Sequence, residues 1–196
     1  MTERRLTPRG QQRREQLTAA ATRLFAKNGY HGTSVADIVD ELGVGKGVFY
    51  WYFASKEELL VALLHETTLG LRRAQAQAIA EEPSPLRRIE LGIRASVAYW
   101  WANRDRYTLF SFAAIDEAFR PALVIGRQTA IDDTAAHLKA GIVAGQVKDL
   151  DPLFLAYGIY GVVTQFIAVF LAAQDASPHE VADAAVAFCL DGIRVD

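Results

Sequence analysis

The sequence ELGVGKGVFYWYF, residues 41–53, contains a Gly-Lys-Gly run that is followed, after one valine, by consecutive aromatic residues. Gly-Lys pairs occur in phosphate-binding loops, which also need a glycine five positions earlier and a Ser or Thr directly after the lysine. Here Asp40 stands at the earlier position relative to Gly45, and Gly47 follows Lys46. No strand pattern precedes the run either. The sequence therefore excludes a nucleotide-binding loop of this type.

The residues on both sides of this run have the periodicity of α-helices. A second helix is predicted after Thr33 and Ser34, which are both suitable caps, and Gly43 ends it. After a very short turn, a third helix extends from Lys46 to about Phe53. A first helix is predicted from apolar residues that recur on one helical face: Leu17, Ala20, Ala21, Leu24 and Phe25.

The rest of the chain is helical by the same criteria. Ser55 and Glu58 form a capping box before a long fourth helix, while Ser84 and Ser177 each cap a helix that has proline in its first turn. No alternating strand pattern and no internal repeat is present, so the predicted fold class is all-α. Further helical patterns lie near residues 105–118, 121–144 and 151–173.

The two short helices around Gly43 have the tight connection of a helix-turn-helix unit, whose second helix enters the major groove of DNA. In that second helix, Phe49 and Phe53 lie four residues apart and can face the core of a small domain. Tyr50 and Trp51 then fall on another face, where large aromatic rings are unfavourable unless something binds there. The pattern therefore indicates a DNA-binding surface.

The charge distribution is typical of a polyanion-binding module attached to an acidic body. Residues 1–56 contain nine basic and five acidic side chains, a net charge of +4, whereas the remainder contains 12 basic and 18 acidic ones, a net charge of −6. With 51% hydrophobic and 22% charged residues, the composition is that of a folded soluble protein.

The sequence TSVADIVDELGVGKGVFYWYFASKEELLVAL, residues 33–63, resembles the DNA-binding signature of the TetR family of bacterial transcriptional regulators. The resemblance extends over roughly residues 12–63 and is most specific between Thr33 and Leu60. It implies an N-terminal three-helix helix-turn-helix DNA-binding domain, residues 1–54. It also implies a larger helical domain, residues 55–196, for effector binding and dimerisation.

The resemblance further implies which residues contact DNA. Lys46, Gly47, Val48 and Trp51 are expected at base edges, and Tyr50 and Tyr52 at phosphates or sugars. Thr33, Ser34 and Lys56 are expected to meet phosphates, because helix N-termini favour anions. The basic residues Arg5, Arg9 and Arg13 are expected near the neighbouring backbone or minor groove.

Two of the departures from the family pattern bear on these DNA contacts. Gly45 stands where relatives often have Ser, which removes a hydroxyl contact to phosphate and costs only a few tenths of a kcal/mol as a helix cap. Val48 stands where Thr or Ala is common. Because valine cannot form a hydrogen bond to a base but can contact a methyl group, we predict a preference for thymine opposite Val48.

By the same resemblance, the helices near 151–173 and 177–192 pair with their mates as a four-helix bundle in a homodimer. The two reading helices then lie roughly 34 Å apart on a palindromic double-stranded operator. Residues 152–173 contain no charged side chain and are long enough to span a bilayer. Gln165 near the middle and acidic flanks such as Asp175 favour burial against a partner subunit instead. A membrane-associated protein anchored by residues 152–173 is the alternative.

The effector pocket is only weakly encoded in the sequence. Aromatic residues are dense between Tyr99 and Phe119, and the family keeps its pocket between these helices and the charge-free one. Such a lining suits an apolar or aromatic effector of unknown identity. The candidate ligand-contacting residues are Trp100, Tyr107, Phe110, Tyr157 and Gln165.

No catalytic, cofactor or metal site is predicted. The histidines are scattered, and Asp133 with His137 on one helix face is more consistent with a surface hydrogen bond than with metal ligation. The single Cys189 lies among apolar residues, which indicates a buried inert thiol and suits a cytoplasmic location. A helical ligand carrier with a vestigial DNA-binding head is a further alternative to a repressor. The sequence leaves repression and activation both open.

Overall fold

The computed structural model describes residues 6–172 and 176–195. No β-strand is present among these residues, and an isolated backbone bridge pairs Val147 with Arg194. The predicted all-α fold class is confirmed. Arg5 and Asp175, both considered above, lie outside the described residues. The helices are α1 (Pro8–Asn28), α2 (Val35–Glu41), α3 (Lys46–Tyr52), α4 (Lys56–Ile79), α5 (Pro85–Ala102), α6 (Arg104–Ile115), α7 (Arg120–Val143), α8 (Pro152–Phe170) and α9 (Pro178–Ile193).

The chain forms two compact units. The first contains the chain up to Glu66 together with Asp105–Ala122, and the second contains Thr67–Arg104 and the chain from Leu123 onward. Helix α4 therefore contributes to both units, and the segment Asp105–Ala122 clusters with helices far from it in sequence. The division of function at residues 54 and 55 stays a prediction.

Local hydrogen bonds fix where the first helices begin. The hydroxyl of Thr7 accepts from the N–H of Gly10 at 3.2 Å, and Pro8 occupies the first turn of α1. Ser34 and Asp37 form a capping box, in which the hydroxyl accepts from the Asp37 N–H at 3.2 Å and the carboxylate accepts from the Ser34 N–H at 2.7 Å. These hydrogen bonds from Ser34 lower the pKa of Asp37.

The turn between α2 and α3 is a Schellman-type helix ending. The N–H of Val44 donates to the carbonyl of Val39 at 3.0 Å, and the N–H of Gly43 donates to the carbonyl of Asp40 at 3.1 Å. Gly43 has a φ of 63°, a left-handed conformation that favours glycine. This closed turn places α3 directly after α2, as the helix-turn-helix prediction requires.

The core of the first unit includes the two phenylalanines predicted to face it. Phe49 is 0% and Phe53 2% exposed, and their ring centroids are 5.8 Å apart. Burying each side chain contributes about 2–3 kcal/mol, which is enough to hold so short a helix in place. Other fully buried side chains in this unit include Leu17, Phe25, Ile38 and Leu60.

Tyr30 is the residue around which Asp105–Ala122 packs. Its ring stacks on Phe112 with centroids 5.4 Å apart and meets the edge of Phe119 at 5.1 Å. Its hydroxyl donates to a carboxylate oxygen of Glu57 at 2.9 Å. Burial, followed by this carboxylate, raises the pKa of Tyr30 above its usual range. The aromatic cluster explains why residues distant in sequence join the N-terminal unit.

In the second unit, α5 packs against α8 and α9. Arg94 joins two of these helices, because its Nε lies 2.9 Å from Glu90 on α5 and its Nη1 lies 2.6 Å from Asp183 on α9. Cys189 is 5% exposed, and burial raises the pKa of its thiol to about 11. The predicted burial of this thiol is confirmed.

Helix α8 has two apolar faces, and the described residues of the chain cover one of them. It is long and apolar enough to cross a bilayer by length and composition, yet only 22% of its most apolar window is buried. The buried face consists of Ala156, Ile159, Val163 and Ile167. The outward face, at the spacing of one helix side, includes Phe154, Tyr157, Gly158, Gly161 and Gln165. The expectation that the chain buries one side of this helix is confirmed, and the other side is exposed as far as residues 6–172 and 176–195 are concerned.

Candidate DNA-binding surface and ligand cavity

Helix α3 exposes one face that combines a cation, a glycine and two aromatic rings. Tyr50 is 56% and Trp51 54% exposed, although large hydrophobic side chains are normally buried. Lys46 and Gly47 are also exposed and lie one turn earlier, at positions i−4 from Tyr50 and Trp51. The predicted base-contacting residues Lys46, Gly47 and Trp51 therefore share one surface.

Val48 and Tyr52 of α3, together with the N-cap residue Gly45, lie next to this surface. Val48 is half-buried. Tyr52 is also half-buried, with its ring centroid 4.5 Å from that of Trp51 in an edge-to-face arrangement. Gly45 is the N-cap residue and supplies no side-chain hydrogen bond. An ideal Cβ built at Gly45 or Gly47 would meet nothing within 4 Å. The surface thus has open space at both glycines.

The two hydroxyl residues before α2 have different surroundings. Ser34 is exposed and caps the helix. Thr33 is 1% exposed, and its hydroxyl donates to the carbonyl of Gly29 at 2.9 Å, which closes the end of α1. In this arrangement the Thr33 hydroxyl is directed into the protein and is not available to a phosphate. Ser34 is the residue of this pair that faces solvent.

Lys56 is also engaged inside the first unit. Its Nζ donates to the carbonyls of Tyr30 at 2.9 Å and Thr33 at 2.8 Å, and it lies 4.2 Å from the centroid of the Tyr30 ring. Two of its three N–H donors are therefore used to hold the start of α4. These bonds favour a structural role for Lys56 over the predicted phosphate contact, which no contact within the chain tests.

The basic residues at the start of α1 differ in their exposure. Arg9 is exposed and Arg13 is half-buried, and neither has an ion-pair partner within residues 6–172 and 176–195. Arg14 pairs with Glu66 at 2.5 Å and lies over the ring of Phe53. Arg9 and Arg13 therefore extend the positive surface of the first unit, whereas Arg14 stabilises its core.

The second unit contains a cavity of about 540 Å3 lined by α4, α5, α7 and α8. Of the five predicted ligand-contacting residues, Trp100 lines it. Tyr107 and Phe110 belong to the Asp105–Ala122 segment of the first unit, and Tyr157 and Gln165 lie on the exposed face of α8. The ligand contacts of these four residues stay predictions. The apolar lining includes Ile89, Ile93, Ile159, Val163 and Ile167.

The cavity also has polar residues that the sequence analysis missed, namely Arg72, Arg88, His137 and Tyr160. Helical periodicity places each of them on a helix but gives no signal that these positions face one cavity. Arg72 donates to Asp133 at 3.0 Å, so Asp133 pairs with an arginine and the predicted Asp133–His137 surface hydrogen bond is not formed. No group of three or more possible metal ligands occurs among the described residues.

The exposed aromatic helix after a Schellman turn defines the first unit as a helix-turn-helix fold. The family model of the bacterial regulatory proteins, tetR family, matches residues 17–63. An uncharacterized HTH-type transcriptional regulator of Lactococcus lactis subsp. lactis is 35% identical over 117 residues, which are 56% of this chain and 60% of that protein. HTH-type transcriptional regulator TtgR of Pseudomonas putida is 41% identical over 83 residues, 41% of this chain and 40% of that protein.

Solved structures share the fold over nearly the whole chain. A TetR-like transcriptional regulator from Rhodococcus has a TM-score of 0.79 at 23% identity, covering 96% of this chain and 98% of its own. The TetR family transcriptional regulator PfmR from Thermus thermophilus has a TM-score of 0.77 at 24% identity, covering 89% and 97%. The chain spans less than two thirds of the length of the two curated relatives above. The predicted resemblance to the TetR family is confirmed over residues 17–63, and the likeness to the solved structures shows the shared fold.

Proposed function

We propose that this protein is a ligand-responsive transcriptional regulator that binds a palindromic operator as a homodimer, most simply as a repressor. The observation that carries the proposal is the exposure of Tyr50 and Trp51, 56% and 54%, beside Lys46 on the second helix of a helix-turn-helix unit. Aromatic rings kept in water on a short helix are costly unless a partner covers them. The partner that fits this geometry is the major groove of DNA.

The proposed roles on DNA follow from exposure and charge. Lys46, Gly47 and Trp51 approach base edges, and Val48 contacts a thymine methyl group. The start of α2, with Ser34 as its exposed cap, meets a phosphate, where the helix dipole favours negative charge. Tyr50 and Tyr52 contact phosphates or sugars of the same stretch of DNA, and Gly45 lies beside them at the start of α3. Lys56 has a structural role, because its two hydrogen bonds hold the start of α4 in place.

A homodimer accounts for the open face of α8. Phe154 is 78% and Tyr157 48% exposed on α8, and Phe188 is 66% exposed on α9. Gly158 and Gly161 have no atom near a built Cβ, so a partner backbone can approach closely there. An apolar surface of this kind, formed by residues 151–173 and 177–192, suits a second copy of the chain.

The proposed effector is a small molecule held in the cavity of the second unit. Binding of the effector favours a state of the dimer in which the distance between the two α3 helices no longer matches the distance between the operator half-sites. Such a shift requires the effector to bind the two states with different affinity. The description of the curated relatives as transcriptional regulators supports this role. A regulator of this kind acts in the cytoplasm, where the DNA of a bacterium lies.

Selection of genomic fragments by the purified protein, followed by sequencing, tests the proposal. At near-physiological salt, a palindrome with half-sites about one helical turn apart is expected. Recovery of no sequence above background would contradict the regulator.

The exposed apolar face of α8 also favours one other candidate, a membrane-associated protein anchored by this helix. Fractionation separates the two, because the regulator is expected in the soluble fraction without detergent. Recovery only in the membrane fraction would support the anchor. A ligand carrier with a vestigial DNA-binding head, in contrast, would retain ligand affinity and bind no operator.

A further inference from the structure

The cavity of the second unit is elongated, and much of its lining is apolar. Ile89 and Trp100 both line it and are separated by eleven positions on α5, which corresponds to about 16 Å along the helix axis. Trp100 is 6% exposed. Ile167, which also lines the cavity, is 2% exposed. A ligand that fills this space therefore needs an extended apolar body.

Arg88 lines the cavity at the start of α5. It precedes Ile89, and its field contributes, after burial, to the lowered pKa of His137 on α7. Arg88 and His137 both line the cavity, and the charge of Arg88 acts on His137. Burial and the nearby arginine both disfavour the charged imidazole, so His137 is a neutral hydrogen-bonding group beside a permanent cation.

The positive charge at this cavity is only partly compensated. Three arginines, Arg72, Arg73 and Arg88, line it, against one carboxylate, that of Asp133. Asp133 is already paired with Arg72 at 3.0 Å. Arg88 donates from Nε to the carbonyl of Glu82 at 2.5 Å, and in the described part of the chain neither Arg88 nor Arg73 has a carboxylate partner. The lining thus retains two arginines whose charge these residues leave unbalanced.

Some of the other polar side chains that line the cavity form hydrogen bonds within the chain, and others do not. Gln75 donates to Ser96 at 2.9 Å, and Ser96 donates to the Gly92 carbonyl at 2.7 Å. In contrast, neither His137 nor the hydroxyl of Tyr160 has a hydrogen-bond partner among residues 6–172 and 176–195. Burial raises the pKa of Tyr160, so its hydroxyl is a donor at neutral pH. His137 and Tyr160 therefore keep hydrogen-bonding capacity for a molecule in the cavity.

We infer that the cavity binds an elongated organic anion, with its acidic group at Arg88 and its apolar body extending towards Trp100. This inference rests on the proposed function, because it names the chemical class of the effector for the same site. A carboxylate can accept from the Nη groups of Arg88 in a bidentate arrangement, and His137 can supply a further hydrogen bond. A cationic effector would face two uncompensated guanidinium groups and is disfavoured.

Calorimetric titration with unbranched carboxylates tests this inference. The probes are octanoate, decanoate and dodecanoate, each compared with the alcohol and the trimethylammonium compound of equal chain length, below their micelle concentrations. A charge-assisted hydrogen bond contributes enough to make the best carboxylate about tenfold tighter than its alcohol. Equal affinity of the alcohol, tighter binding of the ammonium compound, or no binding of any carboxylate would overturn the inference.

Two arginine variants locate the acidic group. Arg88→Gln is expected to remove the preference for the carboxylate while leaving the affinity for the alcohol unchanged. The control is Arg87→Gln, since Arg87 does not line the cavity and Glu90 keeps its second partner Arg94 at 2.9 Å. An equal loss in both variants would contradict a specific contact at Arg88.

The effect on DNA separates this inference from the proposed function. If the carboxylate binds through Arg88 and leaves operator binding unchanged, the ligand class stands and ligand-controlled regulation falls. If operator DNA is released by neutral or cationic compounds and not by carboxylates, regulation stands and the organic anion is excluded.

Discussion

The ammonium nitrogen of Lys56 lies 2.8 Å from the carbonyl oxygen of Thr33. The first residue of α4 is thus bound to the residue directly before the cap of α2. The same nitrogen forms a second hydrogen bond to the carbonyl of Tyr30 at 2.9 Å. It also lies over the ring of Tyr30. One lysine therefore joins the loop between α1 and α2 to the helix that continues into the second unit.

Replacing this lysine is expected to destabilise the first unit. Lys56→Ala removes two charge-assisted hydrogen bonds, and the Tyr30 carbonyl then keeps only the N–H of Thr33 at 3.4 Å. We therefore expect a loss of about 1.5–3 kcal/mol in the free energy of unfolding. Urea unfolding measures the loss. Lys139→Ala is the control, since Lys139 is exposed on α7, and it should change stability little. Equal stability of both variants would mean that the Lys56 contacts contribute nothing.

The salt dependence of operator binding distinguishes a structural from a phosphate-binding role for Lys56. Because two of its donors are engaged inside the protein, we expect Lys56→Ala to leave the slope of log affinity against log salt unchanged. A decrease of about one unit per half-site would instead place its remaining donor on a phosphate.

Two equivalent serine caps allow the DNA contact of Ser34 to be isolated. Ser34 and Ser177 each form a capping box, with Asp37 on α2 and Glu180 on α9. Alanine at either position is expected to cost about 1 kcal/mol of stability. Only Ser34→Ala should also weaken operator binding, as measured by fluorescence anisotropy, because only that cap is expected to face a phosphate. Similar affinities for the two variants would remove Ser34 from the interface.

Gly47 offers a variant in which stability and function change in opposite directions. Nothing lies within 4 Å of a Cβ built at this position, so Gly47→Ala should stabilise the helix by up to about 1 kcal/mol. The added methyl group stands on the base-reading face and should weaken operator binding about tenfold, the effect of one poorly fitted base pair. Gly92→Ala, in the second unit, is the control that should leave operator affinity unchanged. An unaltered affinity of Gly47→Ala would mean that bases do not approach this glycine.

The outward face of α8 is expected to hold the dimer together. Tyr157→Glu places a charge at its centre and should convert the protein to a monomer in sedimentation velocity experiments, because an unpaired charge is costly to bury. Val143→Glu, at a side chain that is 84% exposed on α7, is the matched control and should remain dimeric. If both variants kept the wild-type mass, the dimer would use another surface.

The sequence predicts the helices well because their limits are set locally. The predicted caps at Ser34 and Ser177 and the glycine turn at Gly43 depend on residues within five positions of one another, and all three are present in the structure. The signature around α3 also places Phe49 inside and Tyr50 outside, since neighbours on a short helix face different directions.

Roles that depend on distant contacts are less accessible from the sequence. Thr33 and Ser34 are equally good caps by sequence, and only the nearby end of α1 shows that Thr33 is buried. Phe112 stacks on Tyr30 in the first unit, a contact between residues that lie far apart in sequence. Arg88 has the pattern of an ordinary first-turn residue, because a cavity is formed by helices that no local periodicity relates.

The central claim, that α3 reads DNA, is tested most directly by genomic-fragment selection with the wild-type protein and a Tyr50→Ala/Trp51→Ala variant in parallel. Both side chains are more than half exposed, so the variant should fold and unfold as the wild type does. We predict that the wild type recovers a palindromic operator and that the folded variant recovers no sequence above background. Recovery of the same fragments by both proteins would contradict the claim.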